Sequence, residues 1–366
     1  MILRNLLPLF LLVAGFLGSE WLSARGADTG LNWENINPLI MHLCVPVILL
    51  HLGLKIPHDG LQQQWKPGLA YALLGGACFV LLSTAVLAGL VGSSVGFPLS
   101  AALLAAFLLA ISDLSAIPEI PGGLMNSDST RQRLEIESLA AGALGGSAFT
   151  AFVMPEVALN PLFWGIELVR SVLISLSLAA VGWLFLQLLF GEAKEKSLTF
   201  TNLVTITASV LGLNWCVIYL GGSATLFAVV LALSIRNLID ERFWRPVNTL
   251  AVIALLVIAG ASFTPGLFAD RWLAMFIGAG LVLLGRMITM LPIFWLLFET
   301  GTKIEDNEPW LATFAASRGA IALALAISIP LDFVGWYTVQ AVVYGGVLAS
   351  MLSAAFSSII LHYQVK

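Results

Sequence analysis

Apolar runs about twenty residues long recur from one end of this chain to the other, and the intervals between them never exceed about fifteen residues. A hydrocarbon core about 30 Å thick takes about 20 residues of helix to cross, so each run reads as a membrane span. Cutting at charged or Gly/Pro-rich breaks gives about twelve spans, near 3–23, 36–54, 68–91, 97–117, 134–153, 160–190, 199–219, 221–237, 246–264, 271–298, 309–330 and 336–361. The seventh and eighth are divided only by Gly221 and Gly222. The expected fold is an all-α polytopic membrane protein, one transmembrane domain over residues 1–366 with no appended soluble domain.

Composition closes the alternatives. Of 366 residues 59% are hydrophobic and 10% charged, whereas a soluble domain carries roughly a quarter charged residues. Lys+Arg 17 against Asp+Glu 21 leaves no basic surplus for nucleic acid. Cys44, Cys78 and Cys216 stand singly inside apolar runs and read as packing residues. The first span follows Arg4, as in a signal peptide, but lacks a clear small-residue cleavage site and is kept as a helix.

The loops orient the chain. With a cytoplasmic N-terminus, the inner side collects twelve basic residues (Arg4, Lys55, Lys66, Arg131, Arg133, Lys194, Lys196, Arg236, Arg242, Arg245, Lys303 and Lys366), and the outer side keeps Arg25 and Arg271. That asymmetry supports an even span count and two cytoplasmic termini, in what is read as a bacterial inner membrane. Tryptophans near span ends, such as Trp33, Trp65, Trp244, Trp272, Trp310 and Trp336, read as interfacial anchors.

The informative residues are the charges inside the spans, because an ionisable group at that depth costs about 2.5–3.5 kcal/mol on insertion scales and needs a partner or an aqueous cavity. Asp113 follows a long apolar stretch and precedes a Pro-x-x-Pro-Gly-Gly breaker at 118–123. Flanked by Ser112 and Ser115, it offers hard oxygen ligands to a small cation or a proton; as a helix-end residue it would instead reach the interface. Glu135 and Glu137 lie two apart, so a helix turns them about 200° from each other. One is expected to face loop or headgroups and the deeper Glu137 to face inward. Arg286 in the tenth span needs an anion, either Glu137, which would leave Asp113 free, or Asp113, which would neutralise it. Arg318-Gly319 in the eleventh span suggests a helix interrupted near the midplane, or an arginine snorkelling to the cytoplasm. Glu167 and Arg170 read as a self-neutralising i,i+3 pair.

His42, His51, His58 and His362 have no metal-ligand spacing, and only His51 lies deep enough for a proton-linked role. No phosphate loop, GxSxG elbow or HExxH is present, so neither an enzyme nor a bound cofactor is expected.

Taken together, these residues resemble the cation:proton antiporter superfamily, the sodium/proton exchangers. Ser112-Asp113 is similar to that family's Thr-Asp in an unwound fourth helix, and Glu137-Ser138-Leu139 to the start of its Glu-Ser-Leu-Leu-Asn-Asp stretch. The stretch 222–230 resembles its Gly-x-Ser-Gly-x-Leu-Ala-Val-Val helix, Arg286 its buried tenth-helix arginine, and 318–325 its Arg-Gly-Ala-x-Ser-Leu-Ala-Leu. The segment from Pro46 to Leu69 also fits. The resemblance implies an inverted repeat with broken helices in spans 4 and 11 and a core near 97–153 and 271–330. The remaining spans would serve dimerisation, and cation and proton would compete for one set of carboxylate oxygens.

One departure stands out. The family's Asn-Asp or Asp-Asp in the fifth helix falls on Ala141-Gly142, and Leu114 replaces a favoured proline. Two readings follow. In one, Asp113 alone, with Ser112 and Ser115, carries exchange of sodium or potassium for protons, while Arg286 holds Glu137. In the other, a transport-deficient antiporter-like subunit acts as sensor, channel-like effector or scaffold beside a soluble partner.

Overall fold

The computed structural model describes residues 6–25, 40–56, 58–112, 128–153, 161–190, 200–236, 241–263, 265–300, 304, 308–310, 312–313 and 319–364. Among these the regular structure is helical throughout, without strands. Helix lies within each of the twelve apolar stretches: α1 (Leu7–Ala24), α2 (Ile40–Lys55), α3 (58–95), α4 (Leu99–Ala110), α5 (Asp128–Val153), α6 (Pro161–Phe190), α7 (Phe200–Tyr219), α8 (Ala224–Ile235), α9 (Glu241–Ala261), α10 (265–299), α11 (Ala320–Ile327) and α12 (Trp336–Gln364). Seven of them, α1, α3, α5, α6, α9, α10 and α12, are long and apolar enough to cross a membrane, and α2, α4, α7 and α8 are shorter apolar helices.

Local chemistry sets several ends. Pro98, extended at ψ 152°, precedes α4, and Ser223 caps α8 by accepting from the Leu226 amide at 3.3 Å. The two glycines between α7 and α8 make a tight turn in which Gly221 takes φ 81°, a conformation open to glycine at little cost. α3 begins at His58, about ten residues before the expected span. Gln62, Gln63 and Gln64 are good helix formers, and the extra turns pack on α5.

Close backbone approaches knit the bundle. A Cβ at Gly15 would strike the Val257 carbonyl and one at Gly260 the Leu12 carbonyl, so α1 and α9 cross with each glycine facing the other's backbone. α10 and α12 repeat the device with Gly278 against Val342 and Gly345 against Met275.

The shortest helices are the most enclosed. α11 is buried along its whole length and touches α4, α9 and α12. α4 stops at Ala110, and Ile111 turns to an extended ψ of 112°. Ala101 packs on Gly335 and Leu109 on Gly346, so α4 and the start of α12 run in the same direction. α11 runs back along α12, the Gln340 amide donating to the Ala326 carbonyl at 3.2 Å. The carbonyl end of α4 and the N–H end of α11 therefore lie at one depth in the bundle, bringing opposite dipole ends to the centre.

Candidate functional site

The site grows from one face of α5. Glu137 and Arg133, one turn apart, are 2% and 5% exposed and each meets an opposite charge from the second half of the chain. Arg286 Nη2 donates to Glu137 Oε1 at 2.6 Å, and Arg286 Nε donates to the Ala312 carbonyl at 2.7 Å. Arg133 Nη1 donates to both oxygens of Glu308 at 2.9 Å, and its Nε to Gln64 Oε1 at 2.7 Å. Tyr71 adds its hydroxyl to Glu308 Oε1 at 2.7 Å, and Thr130 to Oε2 at 3.3 Å. The chain just before α11 is thus gripped twice, four residues apart, by guanidinium groups anchored on α5 and α10.

Two π-helical segments frame this pair, Tyr71–Gly75 in α3 and Leu281–Gly285 directly before Arg286. Such bulges turn side chains out of the α-helical register and recur at functional sites. Glu137 Oε2 has no hydrogen-bond partner among the described residues. The side chain borders a small cavity of about 10 Å³ together with Tyr71, Gly76, Arg286 and Thr289. That is room for about one water molecule.

Ser112 follows the end of α4 and is buried; its carbonyl accepts from Ser138 Oγ at 2.8 Å, while its own hydroxyl lacks a partner among the described residues. The extended backbone after Ala110 is thereby tied to α5 next to Glu137. Asp113, Ser115 and Arg318 lie outside the described residues. Ala141 and Gly142 face different neighbours. Ala141 borders cavities between α3, α4 and α5, whereas a Cβ on Gly142 would sit 3.1 Å from a methyl of Leu49 on α2.

The structure brings Glu137 and Arg286 together, from positions 149 residues apart. It corrects the expectation that one of the two glutamates faces loop or headgroups. Glu135 is buried too, because Lys55 at the end of α2 reaches it at 3.1 Å and Arg131 at 3.0 Å. Sequence reasoning also missed this second pair: Arg133 counts there among the loop cations and Glu308 is not singled out. A local signal for the element that covers Arg133 lies in Gln62, Gln63 and Gln64, residues that favour helix. Glu167 and Arg170 pair at 3.1 Å on an exposed face of α6.

A family model described as "Sodium/hydrogen exchanger, transmembrane" matches residues 7–362, nearly the whole chain. The chain belongs to the sodium/hydrogen exchanger family. It is an integral membrane protein, and its family is one of transporters. A curated relative, the low-affinity Na(+)/H(+) antiporter NhaS1 of Synechocystis sp., is 22% identical over 343 residues, which cover 87% of this chain and 63% of the relative. The chain therefore spans less than two thirds of that relative's length. Two structures of the sodium proton antiporter MjNhaP1 from Methanocaldococcus jannaschii share the fold. The one determined at pH 8 superposes with a TM-score of 0.65 at 17% identity, covering 98% of this chain and 89% of that one. The one from an electron-microscopy map gives 0.63 at 18% identity, covering 97% and 96%. The Glu137–Arg286 pair joins α5, in the first half of this family match, to α10 in the second.

Proposed function

We propose that this protein exchanges a monovalent cation, sodium in the first instance and potassium as the alternative ion, for protons across a bacterial inner membrane. One observation carries the reading: Arg286 is already engaged by Glu137 and the Ala312 carbonyl, so the guanidinium deepest in the described core is not left to neutralise another carboxylate. In this proposal Asp113 is the exchanging carboxylate, with Ser112 and Ser115 supplying further oxygens. Cation and proton compete for the same lone pairs, so binding one expels the other. Arg318 lends positive charge beside the start of α11.

The enclosed α4 and α11, with opposite dipole ends at one depth, support a core that carries the ion. We assign 97–153 and 271–330 to that core and the remaining helices to dimerisation. The basic residues of the loops support cytoplasmic termini.

The missing carboxylate at Ala141-Gly142 favours a second reading, an antiporter-like subunit without transport that works beside a soluble partner. Proton flux in proteoliposomes separates the two. Sodium, lithium or potassium added to the native chain is expected to drive proton movement that Asp113→Asn abolishes. No flux from the native chain, or full flux from Asp113→Asn, would overturn the exchange proposal.

A further inference from the structure

A cavity of about 520 Å³ opens between α3, α4, α5 and α6. Its floor is made of small residues, Ala72, Gly76, Ala110, Ala141 and Gly145, and its walls of aromatic and aliphatic ones such as Phe107 and Trp164. Carbon lines it almost throughout. Three residues of the lining, Leu73, Leu81 and Leu144, are 49%, 70% and 45% exposed, and they belong to helices long and apolar enough to cross the membrane. The mouth therefore opens on the exposed apolar outer surface of the bundle.

We propose that this cavity holds one acyl chain of a bilayer phospholipid. Three physical points converge on that occupant. The volume falls within the range of ligand pockets, about 300–1,000 Å³. An apolar cavity of this kind stays dry, because water inside it would forfeit its hydrogen bonds. An empty one would leave its walls without packing partners, and in the membrane the material at its mouth is hydrocarbon. A flexible methylene chain can pass the leucines of the mouth and fill a floor made of methyl groups and glycines.

The site borders the candidate exchange centre. Ala72, Gly76, Ala110 and Ala141 line both this cavity and the small one beside Glu137 and Arg286, so only methyl-sized groups part hydrocarbon from the ion pair. Ala141 stands in the wall between the two cavities. Its methyl keeps this wall apolar and fits it for lipid. Lipid occupancy follows from the cavity and the membrane alone and stands whether or not the protein exchanges ions.

Photolabelling tests it. The full-length protein is reconstituted in phosphatidylcholine vesicles whose lipid bears a diazirine at the end of one acyl chain, then irradiated, digested and mapped by mass spectrometry. Adducts are expected on the floor residues Ala110, Ala141 and Gly145 as well as on Leu73, Leu81 and Leu144 at the mouth. A Cβ at Gly76 or at Gly165, both on the lining, meets nothing within 4 Å, so Gly76→Leu and Gly165→Leu are expected to narrow the cavity. Both are expected to lose most of the floor adducts while keeping those at the mouth. Adducts at the mouth with none on the floor of the native chain would mean annular lipid only and would overturn the proposal. So would floor labelling unchanged in both filled variants. A Leu81→Cys variant joined to its own copy by a short bis-maleimide in the bilayer would put protein over the mouth and would overturn it as well. Gel filtration checks that the variants fold, and the comparison of floor with mouth in the native chain decides without them.

Discussion

Arg133 and Glu137 stand one turn apart on α5 with opposite charges, and each is matched by an opposite charge across the bundle, Glu308 at 2.9 Å and Arg286 at 2.6 Å. The two pairs run in opposite senses, so neither end of the face carries net charge. Together they set the approach of the chain to α11, through Glu308 and the Ala312 carbonyl.

Removing one member of the inner pair is expected to be costly. Glu137→Gln or Arg286→Met leaves a buried charge without its partner, a loss of about 3–5 kcal/mol. Replacing both together removes that uncompensated charge and is expected to recover a large part of the loss. Thermal melting of the four chains of the cycle in detergent measures the coupling, and strict additivity would contradict a direct pair.

At the outer pair, Glu308→Gln is expected to destabilise far more than Tyr71→Phe. The first removes the buried carboxylate charge that takes both bonds of Arg133 Nη1, while the second removes one hydrogen bond, worth about 1.5–3 kcal/mol because the partner is charged. Equal melting shifts for the two would mean that the Arg133–Glu308 contact is not a working ion pair.

Ser138→Ala removes the 2.8 Å bond to the Ser112 carbonyl. The stability cost is about 1 kcal/mol. In the exchange proposal the larger effect falls on the ion, because the extended backbone after α4 loses its tie to α5. The cation concentration at half-maximal flux is expected to rise several-fold with maximal flux nearly unchanged, and Ser138→Thr is expected to restore it. A matched fall in both parameters would point to folding alone.

A carboxylate introduced at position 142 meets an obstacle in packing. Gly142→Asp puts a side chain against Leu49, which is fully buried, so that change alone is expected to lower the melting temperature. Gly142→Asp combined with Leu49→Ala makes room, and cation-driven proton flux is expected to exceed that of the native chain. Flux at the native level in a folded double variant would show that a carboxylate at 142 does not take part.

The membrane fold was legible in the sequence because the rules behind it are local. Apolar run length sets helix existence in lipid, and Gly221-Gly222 marks a turn. The cost of buried charge singled out Glu137 and Arg286 before any contact was known. What the tertiary structure decided is which charges are buried and whom they meet. Arg133 and Glu135 lie at the polar start of α5, where the sequence counts the first as a loop cation and lets the second face loop or headgroups. They are enclosed because residues 58–70 of α3 and Lys55 of α2 fold over them. Glu308 sits 175 residues from Arg133, and Arg286 149 residues from Glu137. Pairing at such separations is chosen by where packed helices bring side chains within about 3 Å, a property of the whole bundle that no local pattern encodes.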